Sequence, residues 1–198
     1  MKYILASASE RRQELLHRIV NDFDIIVSNF DEDSVRTRDN IEEYVIELAE
    51  GKAKDVIKNI SEDAIVIAAD TIVVLDNKIL GKPKSENHAF EMLKLLSGRN
   101  HRVYSAVVVI NTKNKKVEKK CVYTEVKFSE ITDEEIREYI KTKEPLDKAG
   151  SYGIQGYGGI FVEKISGCYY NVVGLPLNTL NKIIKKIKQI GMGYIKEG

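Results

Sequence analysis

The chain has 198 residues, and its 31 Lys and Arg nearly balance its 30 Asp and Glu, giving a net charge of +1. This length can bury a sizeable core without disulfides or a structural metal, and the balanced charge excludes an overall basic nucleic-acid-binding surface. The two cysteines, Cys121 and Cys168, have neither metal-ligand spacing nor a disulfide framework, which favours a reducing compartment. The N-terminal apolar run is too short for a signal peptide, and no run suits a membrane span. We therefore expect a cytoplasmic protein that binds neither membranes nor nucleic acids.

The N-terminal segment predicts an anion-binding turn. Residues 2–5 form a predicted strand, residues 6–9 a turn of small residues, and a helix follows to about Val20. Free backbone N–H groups and the helix dipole converge at such a helix start. Arg11 and Arg12 lie in its first turn, where cations are unfavourable unless an anion joins them. We favour phosphate binding here over two solvated surface arginines.

The same region contains the predicted cap of the helix and an acidic loop. Ser9 is a good N-cap for the helix, with Ser7 and Glu10 as a second capping box one turn earlier. A second predicted strand, residues 23–28, leads into an acidic loop at residues 31–33. That loop is either simply solvated or holds a divalent cation.

The next helix carries an anomalous lysine. Asn40 begins it, with Glu43 in capping-box spacing, and its apolar stripe includes Val45. Seven residues further on, the stripe reaches Lys52. The side chain either extends to the surface along its apolar stem, or points into a polar site near the sheet, and the sequence leaves both alternatives open.

The central segment is Ala64–Leu75. Its first six residues are all apolar, which predicts a strand buried on both faces, and Asp70 and Thr71 follow directly. An acid in that position is costly unless it is solvated, paired or bound to a cation. Ligands in open α/β sheets bind at the carboxyl ends of strands. Asp70, taken as lying at such a strand end, is therefore the first candidate for chemistry, with a turn or loop cap as the structural alternative.

The remaining elements alternate between strands and helices. Asp76-Asn77 predicts a hairpin turn, after which residues 81–83, Gly-Lys-Pro, present Lys82 on a stiff loop near Asp70. The later elements are a helix capped by Ser85, strands 102–111 and 117–128, a helix with a Thr132/Glu135 capping box, a five-glycine loop at 147–159, a strand 160–165 and a helix from Pro176.

Taken together, these features resemble the Maf family of nucleoside triphosphate pyrophosphatases. There is no G-x-x-x-x-G-K-[ST] phosphate loop and no dinucleotide fingerprint. The resemblance covers nearly the whole chain, as one domain over 1–198, through LASASERR (5–12), the acids at 31–32, KA (52–53), AADT (68–71), GKP (81–83), LSGRNHRV (96–103), DKAGSYGIQG (147–156) and NVVGLPL (171–177).

The resemblance implies a fold, a reaction and a set of site residues. The fold would be α/β, a mixed twisted sheet flanked by helices, similar to inosine triphosphatase (Maf/Ham1), with two lobes around a central cleft. The reaction would be hydrolysis of dTTP and UTP to the monophosphate and pyrophosphate. The implied roles are the catalytic proton acceptor Asp70, the base-specificity residues Arg12, Thr71 and Gln155, the phosphate-binding residues Ser7, Ser9, Arg11, Lys52 and Lys82, and the ligands Glu32 and Asp70 for Mg²⁺ or Mn²⁺.

The sequence departs from the family pattern at two positions. Glu10 stands where the family commonly has proline, and Ser105 where it has threonine. Glu10 places a negative charge at the expected phosphate site. Three matters stay open: whether the chain acts on 7-methyl-GTP or other purine analogues instead, whether it is a nucleotide-sensing regulator of septum formation rather than a pool-cleaning enzyme, and whether it is a homodimer.

Overall fold

The computed structural model describes residues 1–36 and 40–189. In these residues the strands are β1 (Lys2–Leu5), β2 (Asp24–Ile25), β3 (Ala64–Leu75), β4 (Lys78–Leu80), β5 (Asn100–Asn111), β6 (Lys116–Phe128) and β7 (Val162–Ser166). The α-helices are α1 (Glu10–His17), α2 (Ile41–Ile57), α3 (Glu86–Leu96), α4 (Asp133–Lys141), α5 (Tyr169–Val173) and α6 (Leu177–Gln189). None of the helices in this part of the chain is long and apolar enough to cross a membrane.

The strands form one mixed sheet. Its order is β2-β1-β3-β5-β6-β7, and β4 pairs with β3 outside this path. β1 is parallel to both β2 and β3, whereas β4 is antiparallel to β3 and β7 is antiparallel to β6. The expectation of a mixed α/β sheet flanked by helices is confirmed.

The chain divides into two compact units. Unit 1 consists of Met1–Asp70, Ala106–Cys121 and Leu175–Gly198, and unit 2 consists of Thr71–Ser105 and Val122–Gly174. β3, β5 and β6 each contribute residues to both units.

Each unit has its own buried apolar residues. β3 is buried along its whole length except at the half-buried Thr71, as expected for a strand covered on both faces. In unit 1 the apolar stripes of the helices are buried at Leu15, Leu16, Val45, Leu48, Val56, Leu180, Ile184 and Ile187. The core of unit 2 includes Val73, Leu93, Leu96, Val126, Phe128, Ile136, Tyr139 and Phe161.

The helix caps match the sequence patterns closely. Ser9, Asn40, Ser85 and Thr132 are the observed N-caps, and Thr132 forms the full capping box with Glu135. The competing box of Ser7 with Glu10 is wrong, because the Ser7 hydroxyl instead accepts a hydrogen bond from the backbone N–H of Ser9. Short side chains that reach a nearby N–H make such caps predictable from local sequence alone.

Other boundaries differ from the predictions. The first helix ends at His17 rather than near Val20, and the strand over 23–28 is only the exposed pair Asp24–Ile25. One short 3-10 helix, Glu144–Asp147, leads into the glycine-rich loop, and two more, Ala149–Ser151 and Tyr157–Phe161, follow, so β7 begins at 162 rather than 160. Helix α5 was not predicted, because five residues are too few to show a helical period.

Candidate active site

Asp70 is buried in the middle of a continuous strand. Its relative exposure is 6%, and β3 runs on from it to Leu75. The expectation that Asp70 lies at a strand end is therefore wrong. The strand continues because it also pairs with β5, and because Val73 to Leu75 pair with β4 across the hairpin. β1, however, pairs with β3 only as far as Ile67, so Asp70 lies beyond the end of its parallel neighbour.

Lys52 connects two acids. Its Nζ lies 2.5 Å from Oδ1 of Asp70 and 2.9 Å from Oε1 of Glu32. The Lys52 side chain is only 15% exposed, so it does not extend to the surface. Of the two alternatives left open by the sequence, the polar site is the one observed. Pairing with Lys52 also explains how a buried carboxylate is tolerated at Asp70.

The loop that carries Glu32 is held against α2 by hydrogen bonds and by packing of an aromatic ring. Oδ2 of Asp55 accepts hydrogen bonds from Ser28 Oγ at 2.9 Å and from the backbone N–H of Asn29 at 2.8 Å. The Phe30 ring packs directly over Gly51, where a Cβ atom would overlap the ring. We call these contacts the α2 latch. They bring Glu32 to Lys52, which lies between the two latch positions on the helix.

The start of α1 gathers the predicted phosphate-binding residues of this region. Ser9 Oγ accepts from the backbone N–H of Arg12, and Arg12 Nη1 donates to Ser7 Oγ at 3.3 Å. Burial lowers the pKa of Arg12, and neighbouring Arg11 lowers it further, while Asp70 and Glu32 raise it. Arg12 therefore lies within electrostatic reach of both acids of the cluster. Unit 1 thus brings together the predicted residues Ser7, Ser9, Arg11, Arg12, Glu32, Lys52 and Asp70.

Two carboxylates converge in this cluster. Within residues 1–36 and 40–189, no three His, Cys, Asp or Glu side chains are placed to hold a metal ion. Asp70 and Glu32 nevertheless both reach the same cationic atom of Lys52. Mg²⁺ is commonly held by only one or two carboxylates together with substrate phosphates and water. The donor set therefore fits a divalent cation that arrives with a phosphorylated ligand.

In unit 2, Thr71 belongs to a hydrogen-bonded polar network. Its Oγ1 lies 2.8 Å from Ser105 Oγ, and Ser105 Oγ donates to the carbonyl oxygen of Asn171 at 2.8 Å. Because the single Ser105 hydrogen is used in that bond, Thr71 is the donor of its pair with Ser105, and Thr71 Oγ1 also lies 3.5 Å from the carbonyl oxygen of Gly174. Ser105, one of the two family departures, therefore contributes with Gly174 to the orientation of the Thr71 hydroxyl.

Lys82 and Gln155 lie on two loops of unit 2 that touch through their backbones. Gly150 N–H donates to the carbonyl oxygen of Gly81 at 3.1 Å, which joins the Gly-Lys-Pro loop to the glycine-rich loop. The side chains of Lys82 and Gln155 are both exposed. Sequence reasoning missed Glu144, whose carboxylate accepts hydrogen bonds from the loop segment that follows Gln155.

The molecule is therefore a mixed α/β protein in which one lysine, Lys52, pairs with a buried acid and with an exposed acid. Comparison with known proteins is specific: the family model described as Maf-like protein matches residues 2–187, and the chain belongs to the Maf family. The resemblance stated from the sequence is thereby confirmed.

Several similar proteins are named dTTP/UTP pyrophosphatase. One from Clostridium botulinum (strain Eklund 17B / Type B) is 66% identical over 94% of this chain and 99% of its own length. One from Clostridium novyi (strain NT) is 64% identical over 92% of this chain and 96% of its own length. One from Clostridium tetani (strain Massachusetts / E88) is 56% identical over 94% and 98%.

A solved structure, that of the Staphylococcus aureus Ham1 protein, also overlaps with the chain. The TM-score is 0.49 at 15% identity, with 94% of this chain and 100% of that one covered.

Proposed function

We propose that the chain is a nucleoside triphosphate pyrophosphatase that hydrolyses dTTP and UTP to the nucleoside monophosphate and pyrophosphate. The observation that carries the proposal is the Asp70–Lys52–Glu32 cluster, in which the buried Asp70 and the exposed Glu32 lie 2.5 Å and 2.9 Å from Lys52 Nζ. The names of relatives at 56–66% identity support the same substrates. We regard the two units as one functional domain, because three strands run through both.

Asp70 would accept the proton of the attacking water. Its Oδ1 faces Lys52, which leaves Oδ2 for that proton. The water oxygen forms a bond to the α-phosphorus, and the bond from the α-phosphorus to the bridging oxygen breaks. Pyrophosphate leaves with the electron pair of that bond. Water is a poor nucleophile at neutral pH, so the attacking water needs further activation.

Glu32 and Asp70 would hold a divalent cation, Mg²⁺ or Mn²⁺, alongside the substrate phosphates. A bound cation of this kind lowers the pKa of a coordinated water and neutralises phosphate charge. Lys52 contacts both of these acids, so it would keep them close together and turn its own charge toward the triphosphate. Arg11, Arg12, Lys82 and the hydroxyls of Ser7 and Ser9 would supply the remaining phosphate contacts.

Base selection would rest on Thr71, Arg12 and Gln155. Uracil and thymine present an N3–H donor beside the O4 acceptor. An amide can accept from the first and donate to the second, and the Thr71 hydroxyl, held by Ser105, would add a polar contact to the base. Cytosine presents the reverse pattern at these two positions. A carboxamide held in one orientation therefore favours uracil and thymine.

A panel of triphosphates tests the proposal. Purified chain with Mg²⁺ or Mn²⁺ is given UTP, dTTP, CTP, GTP, dATP, 7-methyl-GTP and modified pyrimidine triphosphates, and pyrophosphate and monophosphate are quantified. We expect UTP and dTTP to give the highest kcat/KM. Faster turnover of 7-methyl-GTP would contradict the substrate assignment, and nucleotide binding without pyrophosphate release would favour a regulator that senses nucleotides. Cys121 and Cys168 are thiols and not a disulfide, which supports a cytoplasmic location.

A further inference from the structure

Glu144 makes an unusual set of contacts for a half-buried acid. Its Oε1 accepts hydrogen bonds from the Tyr139 hydroxyl at 2.8 Å and from the backbone N–H of Gly158 at 3.2 Å. Its Oε2 accepts from the backbone N–H of Tyr157 at 2.9 Å. A carboxylate that accepts several hydrogen bonds from one loop holds that loop more strongly than a neutral acceptor would.

Tyr139 extends the same arrangement to the other side of Gln155. Its hydroxyl oxygen accepts a hydrogen bond from the backbone N–H of Gly153 at 3.1 Å while the hydroxyl donates to Glu144. Burial, followed by the bond to Glu144, raises the pKa of Tyr139 and keeps the phenol protonated as a donor. Backbone groups two residues before and two and three residues after Gln155 are therefore held by one pair of side chains.

The glycines beside Gln155 allow this close approach. A Cβ atom on Gly156 would overlap the Glu144 carboxylate, and one on Gly158 would lie 2.6 Å from the Tyr139 hydroxyl oxygen. The glycines of the motif are thus required by contact with two specific side chains, as well as by approach to a ligand. We call Tyr139, Glu144 and the 153–158 backbone the loop clamp.

Lys148 fixes the backbone of the clamp itself. Its Nζ donates to the carbonyl oxygen of Glu144 at 2.9 Å and pairs with Asp147 at 2.6 Å. Its aliphatic stem passes beneath Gly153, where an added Cβ would lie 2.8 Å from Lys148 Cε. The Lys148 side chain is only 14% exposed although its partner Asp147 is exposed, so the buried lysine stem supports the loop from inside.

We infer that Glu144 is a positioning residue for base recognition: by holding the 153–158 backbone, it fixes the orientation in which Gln155 meets the base. The inference rests on the proposed function, since it assigns Gln155 a role at that site. The physical need is specific. An exposed amide that can turn over would accept uracil and cytosine equally, because rotation exchanges its donor and acceptor. By holding the backbone on both sides of Gln155, the loop clamp limits the directions from which the amide can meet the base.

The main variant is Glu144→Gln, which keeps the shape of the side chain. One acceptor oxygen remains, but the amide NH₂ then faces a backbone N–H and cannot accept from it. We expect kcat/KM for UTP and dTTP to fall about 10-fold while that for CTP changes little, since a mispaired polar group costs that order of selectivity. Tyr139→Phe should shift the UTP/CTP ratio in the same direction and by less.

The controls separate positioning from general damage. Glu138→Gln changes an exposed acid of α4 that pairs with Lys141, and it should leave the UTP/CTP ratio unchanged. Amide hydrogen exchange at Tyr157 and Gly158 reports the clamp directly, and it should accelerate in Glu144→Gln. Gln155→Glu, which replaces the donor end of the amide, reports whether Gln155 reads the base at all.

The outcomes are distinguishable. Loss of UTP/CTP selectivity in both Glu144→Gln and Gln155→Glu supports the inference. Lost selectivity in Gln155→Glu with normal selectivity in Glu144→Gln overturns the role of Glu144 and leaves the proposed function intact. Normal selectivity in Gln155→Glu removes the proposed base recognition, and the role of Glu144 with it, even if exchange at the clamp accelerates. An equal loss for every triphosphate in Glu144→Gln, with a lower melting temperature, reduces Glu144 to a structural residue.

Discussion

Lys52 and Asp70 are 18 residues apart in the chain, yet the lysine Nζ lies 2.5 Å from Oδ1 of the aspartate. One residue comes from the middle of α2 and the other from the middle of β3. Each would be unfavourable alone, since the lysine interrupts an apolar helix face and the acid interrupts a buried strand. Together they form a partly buried ion pair. Removing either partner would leave the charge of the other one uncompensated.

Asp70→Asn should abolish most turnover without unfolding the chain. Asparagine keeps the size of the side chain but cannot accept the proton of the water, and general-base loss typically lowers kcat by about 10²–10⁴-fold. Pyrophosphate release and the melting temperature are measured together. Asp76→Asn, in the exposed turn after the same strand, is the matched control. A folded Asp70→Asn chain with normal kcat would rule out the proposed proton acceptor.

Lys52→Met tests the charge of the lysine separately from its stem. Methionine preserves most of the apolar contact with the helix face but removes the ammonium. We expect kcat/KM for dTTP to fall about 10²-fold, the loss typical of a removed electrostatic contact to the transition state. Lys54→Met changes an exposed lysine on the same helix, paired with Glu50, and should be near normal. Equal effects of the two substitutions would argue against a phosphate role for Lys52.

Gly51→Ala should weaken the affinity for the activating metal ion, because it disturbs the α2 latch. In an unobstructed helix this change would stabilise the protein by about 1 kcal/mol. Here the added methyl group overlaps the Phe30 ring and displaces the loop that carries Glu32. Displacing such a supporting contact typically costs about 10–100-fold in metal affinity or activity, so the Mg²⁺ concentration for half-maximal activity should rise.

The double variant Gly51→Ala/Phe30→Leu provides the check on the latch, because the smaller side chain makes room for the methyl group. It should recover part of the lost Mg²⁺ response. If Gly51→Ala alone leaves that response unchanged, the latch does not position Glu32.

His101 predicts a pH-dependent stability in unit 2. It is 3% exposed, its Nε2 lies 2.8 Å from the Tyr152 hydroxyl, and burial lowers its pKa to about 4 from the ordinary 6.5. Between these two pH values, His101 therefore binds a proton in the unfolded chain but not in the folded chain. The contribution of the neutral His101 to the free energy of unfolding is fully present above pH 6.5. It is lost as the pH drops toward 4, by on the order of 3 kcal/mol.

The measurement for His101 is the free energy of unfolding by urea from pH 7.5 to 4. His101→Gln cannot titrate, so it should lose less stability than the wild type over this interval, whatever its stability at pH 7.5. Parallel pH curves for the two proteins would show that His101 contributes nothing to the acid sensitivity.

The parts of the fold that local sequence determines were predictable. A hydroxyl or amide just before a helix caps it, and Asp76-Asn77, with φ angles of 46° and 64°, forms the expected hairpin turn. Asp70 was misplaced at a strand end because the apolar run breaks at Asp70 and Thr71, although the expected hairpin with β4 already requires β3 to continue to Leu75. Lys52 could be recognised as anomalous from its spacing, but only the fold shows which acids it meets.

Other parts of the candidate site carry no local signal. Asp55 and Glu144 are single acids in ordinary polar surroundings, and their importance lies in the backbone N–H groups that the fold brings to them. The glycines at 156 and 158 were visible in the sequence as points of close approach. The sequence did not show that these glycines lie against two side chains of unit 2, Tyr139 and Glu144.

The α2 latch has a consequence for how this chain can be altered. The loop over residues 28–32 depends on a missing side chain at Gly51 and on an acceptor at Asp55, and its partner Lys52 lies between them. The loop and the middle of the helix therefore have to be exchanged together. A chimera that takes the loop from one relative and α2 from another would keep Glu32 beside Lys52 only if the loop and the helix of the two parents fit each other.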